Sequence, residues 1–362
     1  MSRRPELGYL DEGVNLDDAD LYRRAIEEAS NCTLLPPAAY RSLVFTHLED
    51  ERVWTRDWVC IGTEHDVVAD GDMLPYTVGY HGIHVRRDPD GALVGAFNMA
   101  QHGGCRMVPL QCQNGTKTGC SFTSCGYSRD RGPITSAELE QGSGASHQYL
   151  GLRPERLLPV QVDTQSALIF VNLDLDASPM AKGRKAHNLV PAIDDTRTAE
   201  RWFEFDCNWK LLAQHLLAMD EARAPAIGDY AWLHGVSGEL NVAWCFPNLL
   251  VLSNGSSRCV IVLQPTAIGR TLCRVQVFSA PDDGSDWFDR VEARGQSGVW
   301  SMAALSRSWR NEDDGSGSSA TQPLQRDPAG IWGQRRLVER ITKTISSRDE
   351  LQLFGRAKEY MI

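Results

Sequence analysis

The chain has 362 residues, 42% of them hydrophobic and 23% charged, with a net charge of −10. This balance argues against sequence-independent binding to nucleic acid or anionic membranes, which needs clustered Lys and Arg, and it suffices for a full globular core. No apolar run is long enough to span a membrane. The opening "MSRRPELGYLDEG" has no apolar stretch behind it, so no secretory signal is expected. The ten cysteines then read as cytoplasmic thiols or metal ligands rather than disulfides.

Residues 1–51 read as a polar arm with one helix, "DDADLYRRAIEEAS", acidic in its first turn as the helix dipole favours. Residues 52–172 read as a β module. Its clearest hairpin is "HGIHVRRDPDGALVGAFNM", with Ile83 and Val85 alternating before a Pro-Asp-Gly turn and Leu93, Ala96 and Phe97 after it. "LLPVQVDTQSALIFVNLDLD" adds two more strands. Residues 173–362 mix helix and strand. A helix is expected from Asn208 to Ala224, with Trp209, Leu212, Leu216 and Met219 on one apolar face. "NLLVLSNGSSRCVIVLQPTA" is a hairpin around Asn-Gly, "RTLCRVQVFSA" a third strand, Glu312–Pro323 an acidic Gly/Ser loop and "DELQLFGRAKEYM" a short amphipathic helix. Cys207, Cys245, Cys259 and Cys273 sit in apolar surroundings and read as core. Nucleophile elbows, phosphate-binding glycine loops and dinucleotide fingerprints are absent from the sequence.

The stretch Phe97–Asp130 holds a loop pair. A Rieske-type cluster takes two thiolates on one iron and two imidazoles on the other, arranged as Cys-x-His on one loop and Cys-x-x-His on the next. Here the first loop reads Ala100-Gln101-His102 and, with seventeen residues between, the second reads Cys120-Ser121-Phe122-Thr123. Ala100 and Thr123 therefore stand where a Cys and a His belong. Gly103-Gly104 falls where the first loop turns, and Tyr127 ends "CSFTSCGY".

In this context the chain resembles the ring-hydroxylating Rieske non-heme iron oxygenase α subunits. "WTRDWVCIGTEHDVVADGDMLPYTV" looks like their opening strand with its Gly71-Asp72 turn, and "VQVDTQSALIFVNLD" like the strand that leaves the Rieske domain. Asn208-Trp209-Lys210 is similar to the start of their iron-bearing helix, "WCFPNLLV" to their Phe-Pro-Asn strand and "NEDDG" to their late acidic loop. The resemblance implies an α+β fold: a Rieske-like β domain on a helix-grip (START/Bet v1-like) domain with an antiparallel sheet. It also implies trimers in which the Rieske domain of one subunit faces the iron of its neighbour.

The family's mononuclear iron takes two His and a distant Asp, leaving positions open for oxygen. Anchoring on Asn208-Trp209-Lys210 puts the two His positions on Glu221 and Ala226, or on Ala222 and Ile227 in a register one residue longer. The acidic residue that bridges cluster and iron falls on Ala218, or on Met219. Asp314, with Asp313 as second choice, matches the distant Asp. Neither register supplies a histidine, so no catalytic residue is expected, and neither [2Fe–2S] nor Fe(II) is an expected cofactor.

The expected function is a non-catalytic α-like subunit, a structural or regulatory partner of an active Rieske oxygenase α subunit in a trimer-based hetero-oligomer, with or without a small β subunit. One alternative is an active Rieske-type aromatic-ring hydroxylase with unrecognised ligands, holding both metal centres. Another is a metal-independent small-molecule binding protein using the helix-grip cavity. A zinc site from His102, Cys105, Cys112, Cys120 and Cys125 is a further alternative, although these gaps lack the tight Cys-x-x-Cys knuckle of structural zinc. A site from His215, His234, Asp220 or Glu221 and Asp314 competes with the simpler reading of hydrogen-bonded histidines and a solvated helix end.

Overall fold

Period-two alternation and tight turns build the first of two antiparallel sheets. The computed structural model describes residues 15–16, 18–27, 32–97, 133, 135–137, 158–180, 190–192, 195–223, 232–279, 284–313 and 327–343. Strands β1 (Val59–Thr63), β2 (Met73–Val78), β3 (His81–Arg87), β4 (Leu93–Phe97), β5 (Pro159–Gln165) and β6 (Leu168–Asn172) pair in the order β1-β6-β5-β4-β3-β2. The expected hairpin is β3–β4, with Ile83 opposite Phe97 and Val85 opposite Gly95. The next expected pair is β5–β6. Gly91 turns the first hairpin at φ +81° and Gly71 turns the chain before β2 at φ +82°, a region that favours glycine.

The second sheet contains β7 (Arg197–Phe205), β8 (Glu221–Arg223), β9 (Trp232–Ser237), β10 (Leu240–Cys245), β11 (Leu249–Asn254), β12 (Ser257–Ala267) and β13 (Arg270–Phe278). Their order is β7-β13-β12-β11-β10-β9-β8, all antiparallel. The Asn-Gly hairpin is β11–β12, with Gly255 at φ +58°. Helix α1 (Ala38–Arg41) and α2 (Leu43–Glu49) lead into a π-type turn, Asp50–Trp54, before β1. Helix α3 (Trp209–Leu217) lies against β10 to β13 and is covered by α4 (Ser285–Asp313) and α5 (Pro328–Ile341). One apolar core runs through both sheets and the helices, and Cys207, Cys245, Cys259 and Cys273 are all buried in it. The α+β class with antiparallel sheets is as the resemblance implied. No helix among the described residues is long and apolar enough to cross a membrane.

Three expectations are corrected. The N-terminal helix is a 3-10 segment, Ala19–Ala25, begun by the Asp18 carboxylate accepting the Asp20 N–H. The helix expected to reach Ala224 stops at Leu217, because Ala218 takes a left-handed conformation at φ +42°. The acidic loop begins later than expected, since α4 runs to Asp313. Helices α4 and α5 were not foreseen. The expected C-terminal helix lies outside the described residues.

Candidate functional site

The four cluster positions Ala100, His102, Cys120 and Thr123 lie outside the described residues, as do Cys105, Cys112 and Cys125 of the zinc alternative. The frame around them is described. Strands β4 and β5, which enter and leave this long connection, pair through Gly95–Val160 and Ala96–Pro159. The Phe97 N–H donates to the Leu158 carbonyl at 2.8 Å. The Asp72 carboxylate accepts the Ser136 N–H at 3.0 Å, tying part of the connection to the Gly71-Asp72 turn.

At the start of α3 each residue of Asn208-Trp209-Lys210 has a structural task. The Asn208 side chain accepts the Lys210 N–H, capping the helix, and donates to the Ile268 carbonyl at 2.7 Å. Trp209 is buried against Trp54 and Phe246. Lys210 is buried and pairs with buried Glu49 at 2.8 Å, its ammonium lying over the rings of Tyr40, Phe45 and Trp209. Burial lowers the Lys210 pKa and raises that of Glu49; the 2.8 Å contact opposes both shifts and favours the charged pair.

The other end of α3 is where the resemblance would place the iron ligands. After Leu217 and the left-handed Ala218, the chain turns out and runs along the sheet edge as β8. Glu221 and Ala222 are paired there with Val236 and Gly235 of β9. The turn is fixed from three sides. Arg294 of α4 donates to the Leu216 and Leu217 carbonyls at 2.8 and 2.9 Å and to the Ser237 hydroxyl at 2.8 Å. Its guanidinium thus serves carbonyls left without partners at the helix end. The Asp220 N–H donates to the Val236 carbonyl at 2.9 Å, and its carboxylate accepts the Gly238 N–H at 2.6 Å. Met219 is buried against Gly235, where any Cβ would collide with the Met219 sulfur and the Glu221 carbonyl.

Asp220 is therefore committed to the β9–β10 turn rather than to a solvated helix end. His215 is half-buried on α3 beneath Gly298 of α4, and burial lowers its pKa, which favours neutral imidazole. His234 stands in β9 with its ring stacked on Trp232. Among the described residues, no three His, Cys, Asp or Glu side chains are grouped to hold a metal ion. Ala226, Ile227 and Asp314 lie outside the described residues, and only the backbone of Asp313 is described. The residues at the positions matched to the two His, Glu221 and Ala226 or Ala222 and Ile227, offer one carboxylate and no imidazole, which does not fit a two-His-one-carboxylate Fe(II) site. At the positions the resemblance matches to Rieske ligands, Ala100 has no donor side chain and Thr123 no imidazole, so by sequence that set falls short of a Rieske centre as well.

Two polar clusters between the sheets were missed from sequence. The fully buried Asp66 carboxylate accepts from Arg274 at 2.7 Å, Gln276 at 2.9 Å, the Thr63 N–H at 2.8 Å and Arg197. Burial alone would raise its pKa; the Arg274 and Arg197 charges and the Thr63 N–H outweigh that and hold it below the ordinary value. Asn248, of the Phe-Pro-Asn motif, accepts the Cys60 N–H at 3.0 Å and donates to the Cys60 carbonyl at 2.7 Å. The Thr63–Asp66 capping box and the Phe-Pro-Asn motif are local, but neither signals the partners that complete the clusters, which lie 208 and 188 residues away in sequence.

No protein-family model matches the chain. Biphenyl 2,3-dioxygenase subunit α of Rhodococcus jostii (strain RHA1) is 26% identical over 208 residues, 54% of this chain and 43% of that protein. Chlorobenzene dioxygenase subunit α of Cupriavidus sp. (strain PS12) is 27% identical over 187 residues, 49% of this chain and 40% of that one. The chain thus spans about two fifths of the length of these curated relatives. Among solved structures, the quaternary ammonium Rieske monooxygenase CntA with γ-butyrobetaine superposes with a TM-score of 0.60 at 15% identity, covering 90% of this chain and 99% of that one. Naphthalene 1,2-dioxygenase with indole gives 0.57 at 13% identity, covering 96% and 98%. These structural likenesses show the fold.

Proposed function

We infer a function from the premise that the homologues of this chain are Rieske non-heme iron oxygenase α subunits, whose fold it carries. The protein is an α-like subunit that lacks both metal centres and acts as a structural or regulatory partner of an active α subunit. The observation that carries this reading is the end of α3. The helix stops at Leu217, Arg294 closes it, and Glu221 leaves as an edge strand where the resemblance calls for a histidine on a continuing helix. A side chain on β8 points according to the strand pleat, so restoring one imidazole at position 221 would not rebuild the family's site. The Ala100 and Thr123 substitutions in the loop pair support the same reading independently.

The test is metal content and visible absorption of protein purified without oxygen, with iron supplied, alone and co-expressed with an intact Rieske oxygenase α subunit. Colourless protein that co-purifies with the α subunit and has iron and zinc far below one per chain is the expected result. Iron near three per chain, about two for a cluster and one mononuclear, would restore an active oxygenase. Zinc near one per chain would shift the site to His102 and its neighbouring cysteines. Metal-free protein that takes no α subunit would instead support a small-molecule binding protein.

A further inference from the structure

Helix α4 turns one face inward, burying Trp287, Phe288, Val291, Met302, Leu305 and Trp309. Its outer face carries Trp300 at mid-helix, 67% exposed. At about 100° per residue, Ala293, Gln296, Ala304 and Arg307 fall within about 40° of Trp300. Between Glu292 and Arg307 the only charged residue is Arg294, which is turned inward onto α3 and Ser237. The middle of the outer face is therefore one large aromatic among small, uncharged side chains. Both ends are charged, with opposite signs. Asp289 and Glu292 precede Trp300, Arg307 and Arg310 follow it, and all four are exposed. No ion pair among the described residues involves any of the four. Arg290 lies on the opposite flank, where it lines a cleft with Ser237 and Arg294.

We propose that this face of α4 docks on the same face of a second copy of the chain, antiparallel about a two-fold axis at Trp300. The charges argue for self-pairing. With a rise of about 1.5 Å per residue, Glu292 lies ~12 Å before Trp300 and Arg307 ~10.5 Å after it. Asp289 and Arg310 lie ~16.5 and ~15 Å away on the two sides. A two-fold axis exchanges the ends while keeping each residue on its own flank, and these four share one flank. Glu292 then meets the second copy's Arg307, and Asp289 its Arg310, each pair occurring twice as an isologous contact requires. Trp300 meets its own symmetry mate at the centre, where an exposed Trp gains most from desolvation. A partner of unrelated sequence would give no reason for acid and base to stand at matched distances from the aromatic. The proposal does not depend on the metal content of either centre.

Sedimentation of the full chain tests it. Trp300→Glu is expected to halve the wild-type mass, and Glu292→Arg or Arg307→Glu alone to do the same, since each sets like charges against each other at both pairs. Mixing the two charge variants should restore the full mass, because the basic pair of side chains on one copy then faces the acidic pair on the other. Wild type already at the mass of Trp300→Glu overturns the proposal. So do single charge variants that keep the wild-type mass, or a mixture that stays at half.

Discussion

Replacing Arg294 by methionine tests whether this side chain builds the end of α3. The guanidinium joins the Leu216 and Leu217 carbonyls to the Ser237 hydroxyl. A hydrogen bond from a charged donor contributes about 1.5–3 kcal/mol, and a cation at a helix C-terminus about 0.3–1 kcal/mol more. The three bonds share one group and do not add, while methionine keeps much of the stem's packing. A net loss of about 2–3 kcal/mol follows for the turn. At about 1.36 kcal/mol per factor of ten, the local opening equilibrium rises about 30- to 150-fold. Native-state hydrogen exchange reads this at two amides: Ala218, bonded to the Gln214 carbonyl at 2.8 Å, and Asp220, bonded to the Val236 carbonyl at 2.9 Å. Arg294→Lys keeps the charge but not the fork, and should recover only part of the protection. Exchange within twofold of wild type in Arg294→Met would refute the reasoning. Met219 against Gly235 and the Asp220–Gly238 bond would then suffice to end the helix.

Two buried charges give further expectations. Asp66→Asn leaves Arg274 short of its buried partner and should cost about 3 kcal/mol at neutral pH, read by urea denaturation. The folded Asp66 pKa is depressed, so its stabilisation is present above the unfolded value of about 3.9 and is lost as pH falls through the folded value. The gap between wild type and variant should therefore close in acid; a gap that widens there would contradict this role of Asp66. Lys210→Met strands Glu49 in the core at a cost of about 3–5 kcal/mol at neutral pH. The Glu49 pKa is already raised by burial, and losing the ammonium raises it further, so the variant's stability should fall as pH climbs through the carboxylate range and above. Glu49→Gln with Lys210→Met should recover most of the loss, and a double variant no better than the single one would show that the packing of the Lys210 stem carries the cost.

The strands were legible because their signals are local. Ile83 and Val85 alternate beside Pro-Asp-Gly, and "VLSNGSSRCVIV" flanks an Asn-Gly turn; both became hairpins. The start of α3 was legible from Asn208 and the apolar stripe, but its end was not, since the stripe continues to Met219 while the arginine that closes the helix lies 78 residues beyond Leu216. Helix α4 hid because Gly295, Gly298 and several serines interrupt its periodicity. Gly295 is demanded by the close approach of the Phe205 ring, a tertiary fact, whereas a Cβ at Gly298 would make only ordinary contacts with α3. Helix α5 did carry a local signal, the Asp327 cap before Pro328, that could have found it.

Three of the described residues that carry the family resemblance hold the fold together. Asn208 caps a helix, Lys210 ties that helix to the N-terminal arm through Glu49, and Asn248 joins the two sheets by clasping the Cys60 backbone. Each task requires a particular polar group in a buried place, where an unpaired polar or charged atom costs several kcal/mol. None of them requires iron. A chain can therefore keep these motifs in order, and the fold with them, while the positions that would ligate metal carry alanine, threonine and an edge-strand glutamate. Likeness through such motifs is evidence about architecture, and the chemistry has to be argued from the ligand positions themselves. At the end of α3 the chain turns out through Ala218–Asp220, held by Arg294, Asp220 and Met219, and Glu221 and Ala222 follow in β8, so this part of the segment has a structure of its own where the resemblance expects a continuing helix.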